Sequence, residues 1–457
     1  MNAKLKSLIK GFTTAMALLP GLGHSQTIVS GPNISGTWSP SGNPYILASS
    51  CTVPCGQTLT IQPGTVVWMG AGVSITANGN FQAVGTAQQR ITFQAPAASQ
   101  FWDSLYLYPC DYSITNHFRF CDFVNATNAL NISDPYAGTI STEILNCSFS
   151  NCVSSGIYVT VGGNVMQIQT IKNCNFNNSS NGCVINLLGT SGCCAGYDNA
   201  AIMGNIFRNL TGAALQLKNA IGGNSPALFQ NNTVVNCRAG VVAADPWDAR
   251  VQDCLFVGCT NAVMATGTQS RAVGFNGFYG NATNFTGYPS SYGLILLANR
   301  NSTSCDILYN IFEDPKFVAT NDFYLQTNSP AIDAGIPDLA YTDMCFPPSQ
   351  GASFPDLGAY GGPDAANWLD VVPKVPALAT VTYSNKITRL NWGAIPRSEY
   401  LVQYLTNFVT AGTNKWLNFT NGDVLAIAKP NSLIVATNQN QPKKFFRIQS
   451  LGRPAGN

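Results

Sequence analysis

The densest group of side chains that could do chemistry is the segment DPWDARVQD. It places Asp245, Trp247, Asp248, Arg250 and Asp253 within nine residues. An indole can stack on a sugar ring, while carboxylates and a guanidinium can bind hydroxyls or carboxylates. The segment is therefore a candidate sugar-binding site. The alternative interpretation is a structural turn in which Arg250 pairs with a neighbouring aspartate.

The first 25 residues have the layout of a secretory signal peptide. Three lysines precede an apolar run at 12–22, and small residues follow up to Ser25, the expected cleavage point. We therefore expect export, to the cell envelope or the extracellular space. No later stretch is long and apolar enough to predict a membrane span in the mature chain. Without the three leader lysines the 23 Lys and Arg become 20, against 21 Asp and Glu, so no basic field predicts a nucleic-acid partner.

A second polar group surrounds the one histidine that remains after the leader. It comprises Asp103, Asp111, His117, Arg119 and Asp122. A histidine near carboxylates can act as an acid or base, but a structural cap is the alternative interpretation. One histidine excludes zinc sites with two histidine ligands, and calcium would need several converging oxygen ligands. We predict no metal and no cofactor, and the catalytic residues stay unknown.

These side chains must be positioned by a repeat that begins near residue 118. Each copy starts with Cys or Asn and places an apolar residue, usually Phe, two positions later. The leading positions lie 22 to 31 residues apart, with one gap of about two periods: Cys121, Cys147, Cys174, Asn205, Asn232, Cys254 and Asn310. This period, with short strand-like pieces, predicts a solenoid of β-coils stacked about 4.8 Å apart.

Stacking predicts ladders of equivalent side chains. An aromatic stack is expected from Phe123, Phe149, Phe176, Phe207 and Phe256. Asn at the leading position is expected to adopt the left-handed conformation and to bond its neighbours above and below, while Cys fills the same place as a small buried side chain. A free-thiol stack is the favoured interpretation of Cys121, Cys147 and Cys174. Of the 15 cysteines, the disulfide candidates are Cys51–Cys55, Cys147–Cys152 and Cys254–Cys259.

A second strand follows each leading unit, beginning at Gly156, Gly182, Gly212 and Gly240. Strand alternation predicts that one set faces the core: Ile157, Val159, Cys183, Ile185, Leu215 and Leu217. The outward row is then Tyr158, Thr160, Val184, Asn186, Ala214, Gln216, Lys218, Val242 and Ala244. Its one charged member, Lys218, is a candidate ligand contact, and a solvated surface lysine is the alternative.

Two sets of phrases resemble a known family. LTIQPGTVV, GNFQAVGT and ITF resemble the opening coils, and NSPAIDAG and PDLGAYGGP the closing segment, of secreted bacterial right-handed parallel β-helix proteins of the pectate-lyase-like superfamily. The resemblance covers roughly 36–370 and implies that fold. Relatives often carry acidic and arginine residues between the closing phrases, whereas here MCFPPSQGASF follows Asp343. Asp333 and Asp356 in those phrases are expected to accept turn N–H groups.

The remainder of the chain reads as an appended module. Two prolines mark a linker at 371–377, and short strands at 378–451 resemble a fibronectin type III-like module, a small β-sandwich. The sequence thus predicts an all-β chain. We expect it to bind polysaccharide or to serve adhesion along the solenoid face. The alternative is a polysaccharide lyase or glycoside hydrolase, which the lack of outward carboxylates disfavours.

Overall fold

The computed structural model describes most of the repeat region and the later strands. The described residues are 26–110, 114–134, 140–162, 167–188, 200–218, 227–243, 249–265, 273–343, 348–351, 354–368, 378–384, 387–392, 399–405, 417–425, 431–436 and 445–452.

Residues 27–286 form a parallel β-solenoid with three sheets. Sheet A contains Thr27–Val29, Tyr45–Leu47, Val66–Met69, Ile91–Gln94, Cys121–Val124, Ser148–Ser150, Asn175–Asn177, Ile206–Arg208, Thr233–Val235, Leu255–Val257 and Gly277–Tyr279. Sheet B contains Cys51–Val53, Ile75–Ala77, Trp102–Leu107, Ala126–Asp134, Ser155–Gly162, Asn181–Leu188, Ala213–Lys218, Ala239–Ala243, Asn261–Ala265 and Thr283–Thr286. Sheet C contains Gly36–Trp38, Thr58–Ile61, Asn80–Val84, Thr115–Arg119, Ile140–Leu145, Gln167–Lys172, Ala200–Met203, Ala227–Gln230, Ala249–Gln252 and Val273–Gly274. Each coil runs through A, B and C, and each strand pairs in parallel with its equivalent in the next coil.

Left-handed residues turn the chain at two corners. Between sheets C and A these include Asn146, Asn173 and Asn231, with φ near +50°. Each precedes the leading position of its repeat, so the expectation that the leading asparagine itself is left-handed is wrong by one residue. Asparagine suits the turn because its short polar side chain makes this conformation less costly than it is for most residues.

The leading asparagines form the expected buried hydrogen-bonded ladder. Asn205 Oδ1 accepts from the Cys174 backbone N–H at 2.9 Å, and Asn205 Nδ2 donates to Ile171 O at 3.0 Å. Asn232 Oδ1 accepts from the Asn205 backbone at 2.9 Å, and Cys254 Sγ accepts from the Asn232 backbone at 3.4 Å. Cysteine therefore replaces asparagine within a continuous ladder.

The aromatic stack is confirmed, with one substitution. Phe149 and Phe176 have ring centroids 4.7 Å apart, and Phe176 and Phe207 lie 4.6 Å apart. The next position in register is Val234. Phe229 of sheet C fills the missing volume, with its ring 5.7 Å from that of Phe207 and 6.5 Å from that of Phe256. The core is thus packed continuously across the interruption.

All six side chains that were predicted to face the core from the second strands are buried. In the predicted outward row, Val184 and Ala214 are buried instead, and Ala244 lies outside the described residues. Val184 is outward but lies between Tyr158 and Gln216 of the adjoining rungs. Ala214 takes the place that Gly156 takes two coils earlier, where a Cβ would lie 2.7 Å from the Phe176 ring, so this position points inward.

The cysteines are mainly free and buried. Cys121, Cys147 and Cys174 are free, which confirms the thiol stack, and seven other described cysteines are also free: Cys51, Cys152, Cys183, Cys237, Cys254, Cys259 and Cys305. All three disulfide candidates are therefore wrong. The disulfide joins Cys55 to Cys110, with Cα atoms 6.0 Å apart. Equivalent residues on neighbouring rungs point their side chains in the same direction, which does not suit a disulfide. Cys55 and Cys110 do not occupy equivalent positions of the repeat.

We expect these ten thiols to resist alkylation in the native chain. All ten are buried, which keeps the reagent away from the sulfur atoms. Burial also raises the pKa of Cys152 to about 11 and that of Cys51 to about 12, which lowers the thiolate fraction of these two. Mass-spectrometric mapping after iodoacetamide treatment should find them labelled only when denaturant is present. Rapid native labelling of Cys147 or Cys174 would contradict the stacked arrangement.

Residues 354–368, here called the return segment, run back along the corner between sheets C and A. The left-handed asparagines bind it: Nδ2 of Asn146 donates to Asn367 O, Nδ2 of Asn173 to Asp364 O, and Nδ2 of Asn231 to Asp356 O, at 2.6, 3.2 and 3.0 Å. The turn asparagines therefore shape each corner and also hold the closing phrase against the solenoid.

The segment that follows the last coil contains the remaining short elements before residue 369. Two antiparallel pairs join Leu297–Ala298 to Ser304–Cys305 and Phe317–Ala319 to Asp322–Leu325. Leu339–Tyr341 and Ala365–Trp368 are 3₁₀ helices of this segment, and Pro40–Gly42 is a 3₁₀ helix of the first coil. As expected, Asp356 accepts turn N–H groups, from Asp333 at 2.9 Å and Gln350 at 2.6 Å. Asp333 takes the left-handed conformation in that turn.

Asp253 links a left-handed corner to the segment before the return segment, and we expect this contact to depend on pH. Burial raises the pKa of its carboxyl to about 7, although Gln230 Nε2 and the Ile336 N–H donate to it at 2.9 and 2.8 Å. A raised carboxyl pKa stabilises the fold fully below the unfolded value near 4, and this contribution is lost as pH rises through 7.

Asp253→Asn should remove this dependence on pH, because an amide does not titrate. The fold should accept the new amide, since Gln230 Oε1 is buried without a partner among the described residues and can accept from it. The unfolding free energy of the variant, relative to the native chain, should increase between pH 4 and pH 8 by at most about 4 kcal/mol. Urea unfolding at both pH values measures it. A difference that does not change with pH would contradict the assignment.

The later strands form two antiparallel three-stranded sheets. One contains Leu378–Ser384, Ile387–Trp392 and Asn431–Ala436, and the other contains Glu399–Leu405, Leu417–Leu425 and Phe445–Gly452. Among the described residues, no helix is long and apolar enough to cross a bilayer.

Candidate functional site

The outer face of sheet A carries two polar rows along its middle rungs. Asp122, Ser148 and Asn175 occupy successive rungs in register. The second row contains Gln94, Val124, Ser150, Asn177 and Arg208. All of these side chains are half-buried. We call this surface, from the strand at 91–94 to the strand at 206–208, the sheet A groove.

The groove ends where the closing part of the chain covers sheet A. From the strand at 206–208 onward the outward residues are mainly apolar, and Ile206 and Val235 are buried in a cluster with Phe323 and Ala359. Apolar outward residues thus bury the end of the chain, whereas the polar rungs before them stay open. Sequence alternation places both sets on one face.

A pocket of about 270 Å³ lies at the edge of the groove beside the return segment. Charged, neutral polar and aromatic side chains and one cysteine line it: Arg90, Phe120, Asp122, Asn146, Cys147, Ser148, Asn173, Asn175 and Trp368. The sheet contributes the polar side chains, the left-handed corner contributes Phe120 and two asparagines, and the return segment contributes the indole. Amides, a carboxylate and aromatic faces are the groups that bind sugar hydroxyls and ring faces.

Arg90 and Asp122 form a closely matched pair in this pocket. Arg90 Nε donates to both carboxylate oxygens of Asp122, each at 2.9 Å. The same guanidinium donates through Nη2 to Cys121 O at 3.2 Å and to Asn146 O at 3.0 Å. Two hydrogen bonds to the carboxylate and two to carbonyls hold both side chains in place and leave the pair with no net charge.

Two pocket-lining amide oxygens lack a partner. Oδ1 of Asn173 and Oδ1 of Asn175 are buried and accept no hydrogen bond within the described part of the chain. Asn173 is 1% exposed, and its Nδ2 is already bound to the return segment. An unmet buried acceptor costs about 1–3 kcal/mol, so both oxygens favour a small donor such as a buried water molecule.

The return segment fixes the aromatic part of the site. Trp368 Nε1 donates to Gly204 O at 3.0 Å and to Ala359 O at 2.8 Å, so its orientation is set by the backbone. Tyr360 packs edge-on against Trp368 at 5.3 Å and stacks on Tyr324 at 4.0 Å. A ring held in this way loses little freedom when a ligand binds.

The candidate ligand residues inferred from the sequence lie elsewhere. Lys218 ends a strand of sheet B, and Arg250 is exposed on sheet C, so these two project from different faces. Asp245, Trp247 and Asp248 lie outside the described residues. None of the described candidates lines the pocket on sheet A.

The histidine-centred group is not a single cluster, because its described members fall on three sheets. Asp103 on sheet B accepts from the Tyr106 hydroxyl at 2.9 Å, while Asp122 pairs with Arg90 on sheet A. His117 Nδ1 lies 3.2 Å from Glu143 Oε2 on sheet C, with Arg119 3.6 Å from the same oxygen. Asp111 lies outside the described residues. Residues a few positions apart cross a corner, which sequence proximity does not reveal.

Sequence reasoning missed the sheet A groove because it followed the second strand of each repeat. The signal was present in the leading strand, where Ser148 and Asn175 each precede a stack phenylalanine and must therefore point outward. Trp368 carried no such signal, since the fold brings it about 190 residues along the chain to meet Asn175.

Within the described ranges, no three His, Cys, Asp or Glu side chains are grouped as metal ligands. The chain matches no protein-family model and no curated protein sequence.

Proposed function

We propose that this chain is an exported right-handed β-helix protein of the pectate-lyase-like type that binds an extended polysaccharide in the sheet A groove. The observation that carries the proposal is the pocket that Trp368 lines together with amide, carboxylate and guanidinium side chains. The leader-like first 25 residues support export, and the closing phrases support the family resemblance.

The groove suits a long ligand better than a compact one. Its polar residues span five rungs, from Thr92 to Asn175 in the first row and from Gln94 to Arg208 in the second, which Val124 interrupts. At about 4.8 Å per rung this surface extends roughly 19 Å along the solenoid axis. Amide and hydroxyl side chains recur at equivalent positions on successive rungs, so an extended chain of sugars could make similar contacts on each rung.

Binding or adhesion fits the groove better than catalysis. Hydrolases of glycosidic bonds use two carboxyl groups that flank the scissile bond. In the described part of the pocket Asp122 is the lining carboxylate, and Arg90 already engages both of its oxygens. Nearby Asp364 pairs with Lys172 at 2.9 Å. The fibronectin type III-like strands at 378–451 would then serve spacing or attachment.

The proposal is tested by comparing variants on different faces of the solenoid. Asn175→Ala and Ser148→Ala should each weaken binding to a polysaccharide identified by array screening about 3- to 10-fold, the loss of one hydrogen bond. Lys218→Ala and Arg250→Ala, on sheets B and C, are matched controls and should leave affinity unchanged. Loss of affinity in Lys218→Ala or Arg250→Ala, with Asn175→Ala and Ser148→Ala unaffected, would contradict the sheet A site and favour the residues inferred from the sequence. Release of unsaturated or shortened products would indicate the lyase or hydrolase alternative.

A further inference from the structure

We propose that the pocket beside Trp368 takes a neutral, hydroxyl-rich sugar and discriminates against the corresponding uronate. This inference deepens the proposed function and rests on it, because it assigns the ligand class of the same groove. It follows from the hydrogen bonds that Arg90 and Asp122, the charged residues that line the pocket, already make with each other.

Arg90 is not available to bind a ligand carboxylate in the usual two-pronged way. Its Nε and Nη2 groups are engaged by Asp122 and by the carbonyls of Cys121 and Asn146. A guanidinium recognises a uronate most strongly when one of its edges is free to donate two parallel hydrogen bonds. A carboxylate that entered the pocket would lose water and find no free cation there, because Arg90 and Asp122 neutralise each other, and an unpaired charge is costly to desolvate.

The remaining polar groups are mainly hydrogen-bond acceptors. Oδ1 of Asn173 and Oδ1 of Asn175 have no partner among the described residues, and Asp122 has lone pairs beyond those that Arg90 uses. A C6 hydroxyl can donate to the Asp122 carboxylate, whereas a C6 carboxylate cannot donate at all. The pocket is therefore complementary to hydroxyl groups.

Other cations near the groove do not reverse this balance. Lys172 is paired with Asp364 at 2.9 Å. Arg208 lies three rungs from Asp122, about 14 Å along the sheet. Arg208 is not among the residues that line the pocket.

The test uses pairs of hexasaccharides that differ only at C6: cellohexaose, mannohexaose and α-1,4-galactohexaose, each with its C6-oxidised uronate form. Calorimetry on the full chain should show that, for the pair of hexasaccharides that binds, the neutral sugar has a dissociation constant at least 10-fold lower than its uronate form. Asp122→Asn should reduce this ratio to about 3-fold or less, because it leaves the Arg90 charge unpaired and able to attract a uronate. Asp103→Asn makes the same charge change on sheet B and should leave the ratio unaltered.

Ionic strength gives a check that needs no substitution. Added salt should leave uronate binding to the native chain nearly unchanged, because the Arg90–Asp122 pair carries no net charge. Weaker uronate binding in added salt, a wild-type preference for the uronate, or an Asp122→Asn ratio equal to the wild-type ratio would each overturn the inference and leave the proposed function standing. Failure of every neutral and oxidised sugar to bind would instead count against the proposed function itself.

Discussion

Replacing Phe176 by Ala should lower the free energy of unfolding by about 3–5 kcal/mol, the usual cost of removing a fully buried aromatic side chain. Phe176 is fully buried and stacks on the rings of Phe149 and Phe207 at 4.7 and 4.6 Å. Its loss leaves a cavity that neighbouring rungs cannot close, because backbone hydrogen bonds fix their spacing. Equilibrium unfolding in urea measures the change.

Two controls make this result specific to the stack. Phe101→Ala removes an exposed ring and should cost less than about 1 kcal/mol. Phe176→Val copies the natural exchange at Val234 and should cost less than Phe176→Ala, because it leaves a smaller cavity. Equal costs for the Phe101 and Phe176 alanine variants would contradict continuous stacking.

The second large effect is expected at Asn205 in the buried amide ladder. Asn205→Leu has similar volume but leaves the Cys174 N–H and the Ile171 carbonyl without partners. Each unmet buried group costs about 1–3 kcal/mol, so the unfolding free energy should fall by about 2–6 kcal/mol.

Asn205→Cys is the informative partner for this substitution. Two coils later, Cys254 Sγ accepts from the Asn232 N–H at 3.4 Å and donates to Phe229 O at 3.4 Å, the same two roles that Asn205 performs. We therefore expect Asn205→Cys to cost less than half as much as Asn205→Leu in thermal or urea unfolding under reducing conditions. A cysteine variant as unstable as the leucine variant would show that the two residue types are not interchangeable here.

Much of the scaffold could be predicted because a solenoid repeats its own constraints. The spacing of Cys147, Cys174 and Asn205 reports the coil length, and the phenylalanine two residues later reports the core. Parallel register then forces like residues into contact, so the stack and the ladder follow from the period alone. The left-handed residue lies one position before the leading residue and not at it. Asparagine occurs at both positions, so the sequence pattern alone does not distinguish them.

The features that the sequence did not predict depend on contacts outside the repeat. Cys55 and Cys110 are 55 residues apart and share no repeat position, so their pairing required the fold. The pocket likewise depends on the return segment, which carries Trp368 to a corner formed by Phe120 and Asn173. Amide donors of Asn146 and Asn173 anchor that segment through its backbone, a contact that leaves no side-chain signature.

Hydroxyl-radical footprinting with a bound neutral hexasaccharide tests the location of the site most directly, because each face of the solenoid offers one reactive, partly exposed reporter. Trp368 reports the sheet A groove, Tyr158 reports sheet B and His117 reports sheet C. The sheet A assignment predicts that ligand slows oxidation of Trp368 and leaves Tyr158 and His117 unchanged. Protection of Tyr158 or His117 with Trp368 still fully reactive would contradict it.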